Sequence, residues 1–280
     1  MTALTLPTFR SRDRVPEMDA FSLEGKVALV TGGGKGIGKG IARAFAQAGA
    51  DLALVSRTAA DVEAVAAELR DAGRRAVACP ADVNDLSTLP GVVDKAVTEL
   101  GGIDILVNCA GGGYHWHAFD DTTVEMVEDV FHFTVSSVFA LTKACVPHML
   151  QRPGASIINI GSVTVGKSAR GHLTYETAKA ALVQLTKSLA ADLGPKIRVN
   201  IIHPGVTETE ALRGVMEHMT PEQLDNLARQ ARMKRNGTPE DIGGAAVYLA
   251  SPAASYVTGV ELLVAGGAVD EGGQTTFPDL

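Results

Sequence analysis

Seven short apolar runs punctuate the chain, at residues 27–30, 52–55, 76–79, 103–107, 156–160, 198–202 and 260–264. Runs of four or five mostly apolar residues predict strands buried on both faces. Longer stretches with helical spacing lie between them. Ile41, Ala44, Phe45 and Ala48 form one stripe, and Val62, Val65, Ala66, Leu69 and Ala72 form another. Such alternation predicts right-handed crossovers, and so an α/β fold: a doubly wound parallel sheet of about seven strands, covered on both sides. Thr238-Pro239-Glu240-Asp241 marks a helix start, with a capping threonine, a proline at the first helical position and a carboxylate shortly after. The rhythm breaks between Pro204 and Gly237, where many charges and the pair Met216 and Met219 predict a small helical lid at about residues 206–236. No repeat and no linker divides residues 25–280, so one domain is expected. Residues 1–24, with Pro7, Pro16 and little periodicity, read as an N-terminal extension, either a surface strap or an arm on a neighbouring subunit.

Composition narrows the class. With 46% hydrophobic residues the chain is too apolar for disorder. Asp and Glu number 32 against 25 Lys and Arg, a net charge of -7. Without a basic stripe, neither nucleic acid nor an anionic membrane is an expected partner. No run of ~18 uncharged apolar residues predicts a bilayer span. The first residues carry Arg10, Arg12, Asp13 and Arg14 and no apolar core, so no secretory signal is expected. Cys79, Cys109 and Cys145 are too scattered for a disulfide framework or a metal knuckle, which predicts a reducing, cytoplasmic setting.

Candidate chemistry begins after the first strand, with Thr31-Gly32-Gly33-Gly34-Lys35-Gly36-Ile37-Gly38 opening a helix. A tight turn, close approach of a pyrophosphate and close helix–strand packing all need glycine here, and the helix N-terminus supplies N–H groups and partial positive charge. A nucleoside-triphosphate loop does not fit. Leu29 stands where that motif needs its first glycine, and Gly36 where it needs Ser or Thr.

The second strand ends in Leu54-Val55-Ser56-Arg57-Thr58, without the carboxylate that commonly holds an NAD ribose. A hydroxyl at Ser56 and a guanidinium at Arg57 suit a 2′-phosphate, and Lys35 offers a second positive charge. NADP is therefore favoured, with NAD open; an ordinary solvated loop is the competing reading of Arg57.

These residues resemble the short-chain dehydrogenase/reductase family over about residues 24–268. The glycine loop matches its T-G-x-x-x-G-x-G pattern, and Asn108-Cys109-Ala110-Gly111 its N-x-A-G. Ser162 and Tyr175-Glu176-Thr177-Ala178-Lys179 match its Ser and Y-x-x-x-K, and Asn200 with Pro204-Gly205 its segment after the sixth strand. The resemblance implies a Rossmann-like sheet, a homotetramer, and hydride exchange between a nicotinamide cofactor and a small-molecule alcohol or carbonyl. It implies that Gly32, Gly34, Lys35, Gly36, Ile37 and Gly38 line the pyrophosphate and ribose, and that Asp82 and Val83 flank the adenine. Asn108, Ala110 and Gly111 would wall the riboses. Gly205, Val206, Thr207 and Thr209 would hold the carboxamide end.

The family's Ser, Tyr and Lys fall on Ser162, Tyr175 and Lys179, and the last two share one helix face. A phenol of pKa ~10 is too weak an acid to serve readily as a base near neutrality. A neighbouring ammonium is expected to lower that pKa, with Lys179 also holding the nicotinamide ribose. Ser162 would stabilise charge on the substrate oxygen and Tyr175 would donate or accept the proton. Gly161-Ser162-Val163 lacks the G-x-S-x-G elbow of hydrolases.

Two positions depart from the family pattern. Thr134 stands where many members carry a relay Asn, and offers a hydroxyl and the same backbone carbonyl. Val264-Ala265-Gly266-Gly267 lacks one late acidic residue. Beyond Gly111, Tyr114-His115-Trp116-His117 reads as a pocket wall or plain packing, and a metal site is not expected there. Lys167, Arg170 and His172 face either solvent or an anionic substrate group. Steroids, 3-oxoacyl compounds and small ketones fit as substrates. The alternative function is a dinucleotide-binding sensor or scaffold of weak turnover on the same fold, motivated by Thr134.

Overall fold

Each apolar run becomes a strand, and all but the last, an edge strand, bury alternate residues against opposite helical layers. The computed structural model describes residues 18–111, 117–217, 219–229 and 231–268. Its strands are β1 (Val27–Thr31), β2 (Asp51–Ser56), β3 (Ala76–Pro80), β4 (Ile105–Asn108), β5 (Ala155–Ile160), β6 (Ile197–Pro204) and β7 (Glu261–Val264). All pair in parallel, in the order β3-β2-β1-β4-β5-β6-β7. The helices are α1 (Gly36–Gln47), α2 (Ala59–Asp71), α3 (Leu89–Leu100), α4 (Val124–Phe131), α5 (Ser137–Met149), α6 (Leu173–Leu193), α7 (Glu210–Met216), α8 (Pro221–Arg229) and α9 (Pro239–Ala250). A π-helical turn, His132–Ser136, joins α4 to α5.

Ala28 and Val30 of β1 pack with Ile41 and Phe45 of α1, Val62 of α2 and Leu249 of α9. Val27 and Leu29 face the other way, toward Val93 of α3, Leu141 and Cys145 of α5 and Leu189 of α6. Burying a side chain the size of Phe45 contributes roughly 1.5–3 kcal/mol. Glycines let α1 and α9 approach closely. A Cβ on Gly40 would stand 2.5 Å from Pro239 Cβ, and one on Gly243 2.8 Å from Ala44 Cβ.

The fourth strand starts later than its apolar run. Asp104 is buried, and its carboxylate accepts from Val27 N at 3.0 Å and pairs with Lys26 and Arg152. That polar clasp adds to the backbone bonds Asp104 N makes to Val27 O at 2.9 Å and Asp104 O accepts from Ser156 N at 3.0 Å. Leu23, inside the expected extension, is fully buried, and its N–H donates to Ala48 O at 2.8 Å. Val124–Met149 forms one helical rod of 26 residues, long and apolar enough by length and composition to cross a bilayer. Lys143 interrupts its apolar sequence, so no uncharged run of that length marks it. Here α5 buries Leu141, Cys145 and Met149 in the core beneath the sheet.

Candidate active site

The strand C-terminal ends open into a cleft of about 600 Å3, at the switch point where β1 and β4 lead the chain to opposite sides. The glycine loop forms its floor. Gly32 has φ +68° and Gly36 φ +53°, and a Cβ on Gly38 would meet Gly32 O at 2.2 Å. Thr31 Oγ1 accepts from both Cys109 N and Ala110 N at 2.9 Å, tying this loop to the turn after β4. Lys35, the residue preceding α1, makes no side-chain cap. The residues therefore fit a pyrophosphate, with backbone N–H groups and the helix dipole as the holding elements. Glu210, opening α7, also reaches this floor, where its Oε2 accepts from Gly36 N at 2.9 Å.

Ser56 and Arg57 both line the cleft, as do Asp82 and Val83 after the neighbouring strand β3. Lys35 is not a free second cation. Its Nζ stands 2.8 Å from Asp61 Oδ2, in the first turn of α2. Asp61 thus brings a carboxylate to a pocket whose strand end carries none. Nothing in the local sequence marks it, because α2 delivers it from the next element.

Ser162, Tyr175 and Lys179 meet at the inner end of the cleft. Ser162 hydrogen-bonds Tyr175. Its Oγ accepts from Thr164 Oγ1 at 3.0 Å and from Thr164 N at 3.2 Å. Lys179 Nζ donates to Ile160 O at 2.7 Å and lies 5.8 Å from the Tyr175 ring centre. A buried ladder anchors the helix that carries the pair: Asn108 Nδ2 donates to Asn159 Oδ1, and Asn159 Nδ2 to Thr186 Oγ1.

One electrostatic expectation is corrected. Burial raises the Tyr175 pKa, and the Ser162 hydrogen bond opposes it only in part. Lys179 does not set the direction: burial comes first for Tyr175, and burial also pushes the Lys179 pKa down to about 8. Desolvation of both groups outweighs the attraction expected from their spacing.

Other expected residues lie apart from the cleft lining. Asn108 turns inward to Asn159. Val206 lines a separate small cavity with Met233 and Asn236, and Thr207 Oγ1 donates to Gly205 O at 3.0 Å. Gly205 and Thr209 do line the cleft, as do Ala110 and Gly111. Thr134 sits in the π-helical turn, 5% exposed, and its Oγ1 has no hydrogen-bond partner among the described residues. Its neighbour Phe133 lines the cleft. Lys167 Nζ donates to Ala268 O at 3.2 Å, and His172 approaches Glu176 at 3.6 Å. The expected wall of Tyr114, His115 and Trp116 lies outside the described residues.

Comparison with known proteins agrees with this geometry. A family model described as enoyl-(acyl carrier protein) reductase matches residues 32–269. The chain is 39% identical to 7alpha-hydroxysteroid dehydrogenase of Escherichia coli, over 90% of this chain and 98% of that protein. It superposes on a 7alpha-hydroxysteroid dehydrogenase complexed with NADH and 7-oxo glycochenodeoxycholic acid, with a TM-score of 0.86 and 38% identity, covering 92% of this chain and 99% of the other. A short-chain dehydrogenase of Burkholderia cenocepacia in complex with NADP gives a TM-score of 0.79 at 34% identity, covering 88% and 98%. With a parallel seven-stranded sheet, a glycine-floored cleft and these relatives, the chain belongs to the short-chain dehydrogenase/reductase family of NAD(P)-dependent oxidoreductases.

Proposed function

We propose that this enzyme interconverts a secondary alcohol and a ketone, with NADPH preferred over NADH. The meeting of Ser162, Tyr175 and Lys179 at the inner end of the dinucleotide cleft carries this reading. When bound, the nicotinamide supplies or takes the hydride. Ser162 Oγ accepts two bonds from Thr164, so its own proton makes the bond to Tyr175 and turns to the substrate oxygen when substrate enters. Tyr175 moves the proton. Burial favours its neutral form, so in the reductive direction it stands ready as the acid. Lys179, fixed to Ile160 O, is placed to hold the ribose beside it.

Ser56 and Arg57 support the preference for NADPH. Likeness to the hydroxysteroid dehydrogenase supports a steroid ketone as the first substrate to try, before 3-oxoacyl compounds and small ketones. In this reading Thr134 feeds the proton relay through its buried hydroxyl, in a π-helical turn of the kind often found at functional sites. The assembly is a homotetramer, supported by exposed Val124, Phe131 and Phe139 along α4 and α5 and by exposed Leu263 on edge strand β7. The setting is the cytoplasm, consistent with free thiols at Cys79, Cys109 and Cys145.

The test is NADPH oxidation against a panel led by 7-oxo bile acids. Tyr175→Phe is expected to lose ~100-fold or more in turnover while still binding NADPH. A variant that keeps its turnover refutes the assigned acid. NADPH binding with no turnover across the panel supports the sensor reading instead.

A further inference from the structure

Behind Ser162 a polar chain that hydride transfer does not itself use runs from buried His203 out to Glu261 and Lys187 at the surface. Residues 161–163 leave β5 alongside the end of β6. Gly161 N donates to Ile202 O at 2.7 Å, and Val163 N to Pro204 O at 3.2 Å. Between them, Ser162 N donates to a side chain, the imidazole Nδ1 of His203, at 3.0 Å. His203 is 2% exposed. Its Nε2 faces Glu261 Oε2 at 3.2 Å, and Glu261 Oε1 stands 2.7 Å from Lys187 Nζ on α6.

These contacts assign the tautomer. An Nδ1 that accepts a backbone N–H carries no proton, so the neutral ring keeps its proton on Nε2 and donates it to Glu261. Protonation of Nδ1 would set two donors against each other. Burial and the Lys179 charge favour the neutral ring and the Glu261 carboxylate opposes them; the Ser162 N–H, a donor aimed at Nδ1, sides with the neutral ring. Gly161 is part of the same arrangement, because a Cβ there would stand 2.4 Å from His203 Nδ1. Ser162 is thus held twice, at its N–H by His203 and at its Oγ by Thr164.

We propose that His203 is a positioning residue for hydride transfer: as the neutral Nε2–H tautomer it fixes the Ser162 backbone and so aims the serine hydroxyl at the substrate oxygen. This rests on the assignment of Ser162 to that oxygen. The role is a matter of aim, since a misplacement of ~1 Å costs on the order of 100-fold in rate.

Three substitutions separate aim from packing. His203→Asn places an amide oxygen near the position of Nδ1 and keeps the acceptor. His203→Gln places its amide near Nε2 and does not, and His203→Ala removes both. Turnover number is expected to fall ~10-fold or more in the Ala and Gln variants, with the cofactor KM unchanged, and to stay within about threefold of wild type in the Asn variant. Amide exchange at Ser162 is expected to be slow in wild type and Asn, and fast in Ala and Gln. Wild-type turnover in His203→Ala, or equal losses in Asn and Gln, would overturn the proposal. Nitrogen-15 spectra of the wild-type histidines need no substrate and no variant, and are expected to show His203 protonated on Nε2 alone. A ring protonated on Nδ1 would overturn the proposal even in a protein without turnover. A wild-type protein inert to every alcohol and carbonyl would instead sink the reading of Ser162.

Discussion

Lys35 Nζ lies 2.8 Å from Asp61 Oδ2 at the edge of the cleft, so the glycine loop's own cation is already neutralised by the first turn of α2. Under the proposed preference for NADPH, recognition of the 2′-phosphate falls to Ser56 and Arg57, and the nearby carboxylate works against them. Arg57→Ala is expected to lower kcat/KM for NADPH by about tenfold or more and to change NADH little. Asp61→Asn is expected to shift the ratio the other way by several-fold. Paired kinetics with both cofactors check this; equal losses for both in Arg57→Ala would remove Arg57 from the selectivity site.

Glu210 Oε2 accepts from Gly36 N–H, a donor at the helix start where a pyrophosphate is expected. A carboxylate there competes for the donor and repels the incoming phosphates. Glu210→Gln is expected to tighten NADPH binding by about threefold to tenfold, less so at high salt. Fluorescence titration at two ionic strengths gives the answer, and an unchanged dissociation constant counts against competition.

Lys179 gives stability a signed pH dependence. Its pKa is about 8 in the folded state against 10.5 for a free lysine. Between those values the unfolded chain holds a proton that the folded chain has released, so stability rises with pH. Above 10 buried Tyr175 reverses the sign, because the folded state then keeps a phenol proton that the unfolded state loses. Wild type is therefore expected to gain melting temperature relative to Lys179→Met from about pH 8 to 10. A constant difference across that range would contradict the buried amine.

The start of α9 carries a reciprocal cap. Thr238 Oγ1 accepts from Asp241 N at 3.3 Å, and the Asp241 carboxylate accepts from Thr238 N at 2.7 Å. Arg235 holds the same carboxylate with bonds of 2.6 and 2.9 Å. Thr238→Ala is expected to cost about 1 kcal/mol in a denaturant titration. The cofactor KM should rise too, because Pro239 packs on Gly40 of the helix that faces the phosphate.

Much of this molecule is local, and local features are legible in a sequence. The strand runs, the helix stripes, the Thr238 cap, the glycine loop and the spacing of Tyr175 and Lys179 each follow from a few neighbouring residues whose backbone geometry sets which side chains share a face. Asp61 beside Lys35, Glu210 on Gly36 and His203 under Ser162 had no such signal. The last two join residues 174 and 41 positions apart, which only the packing of separate elements brings together. The Tyr175 pKa belongs to the same class: spacing predicted a lowered value, but burial raised it. Sequence alone determined the sheet, the dinucleotide floor and the residues of the trio, because these depend on periodicity and short spacing. Tertiary structure alone decided which charges are neutralised, which proton stays on the phenol and what holds the serine in place, because desolvation and long-range contacts exist only after the chain has closed around them.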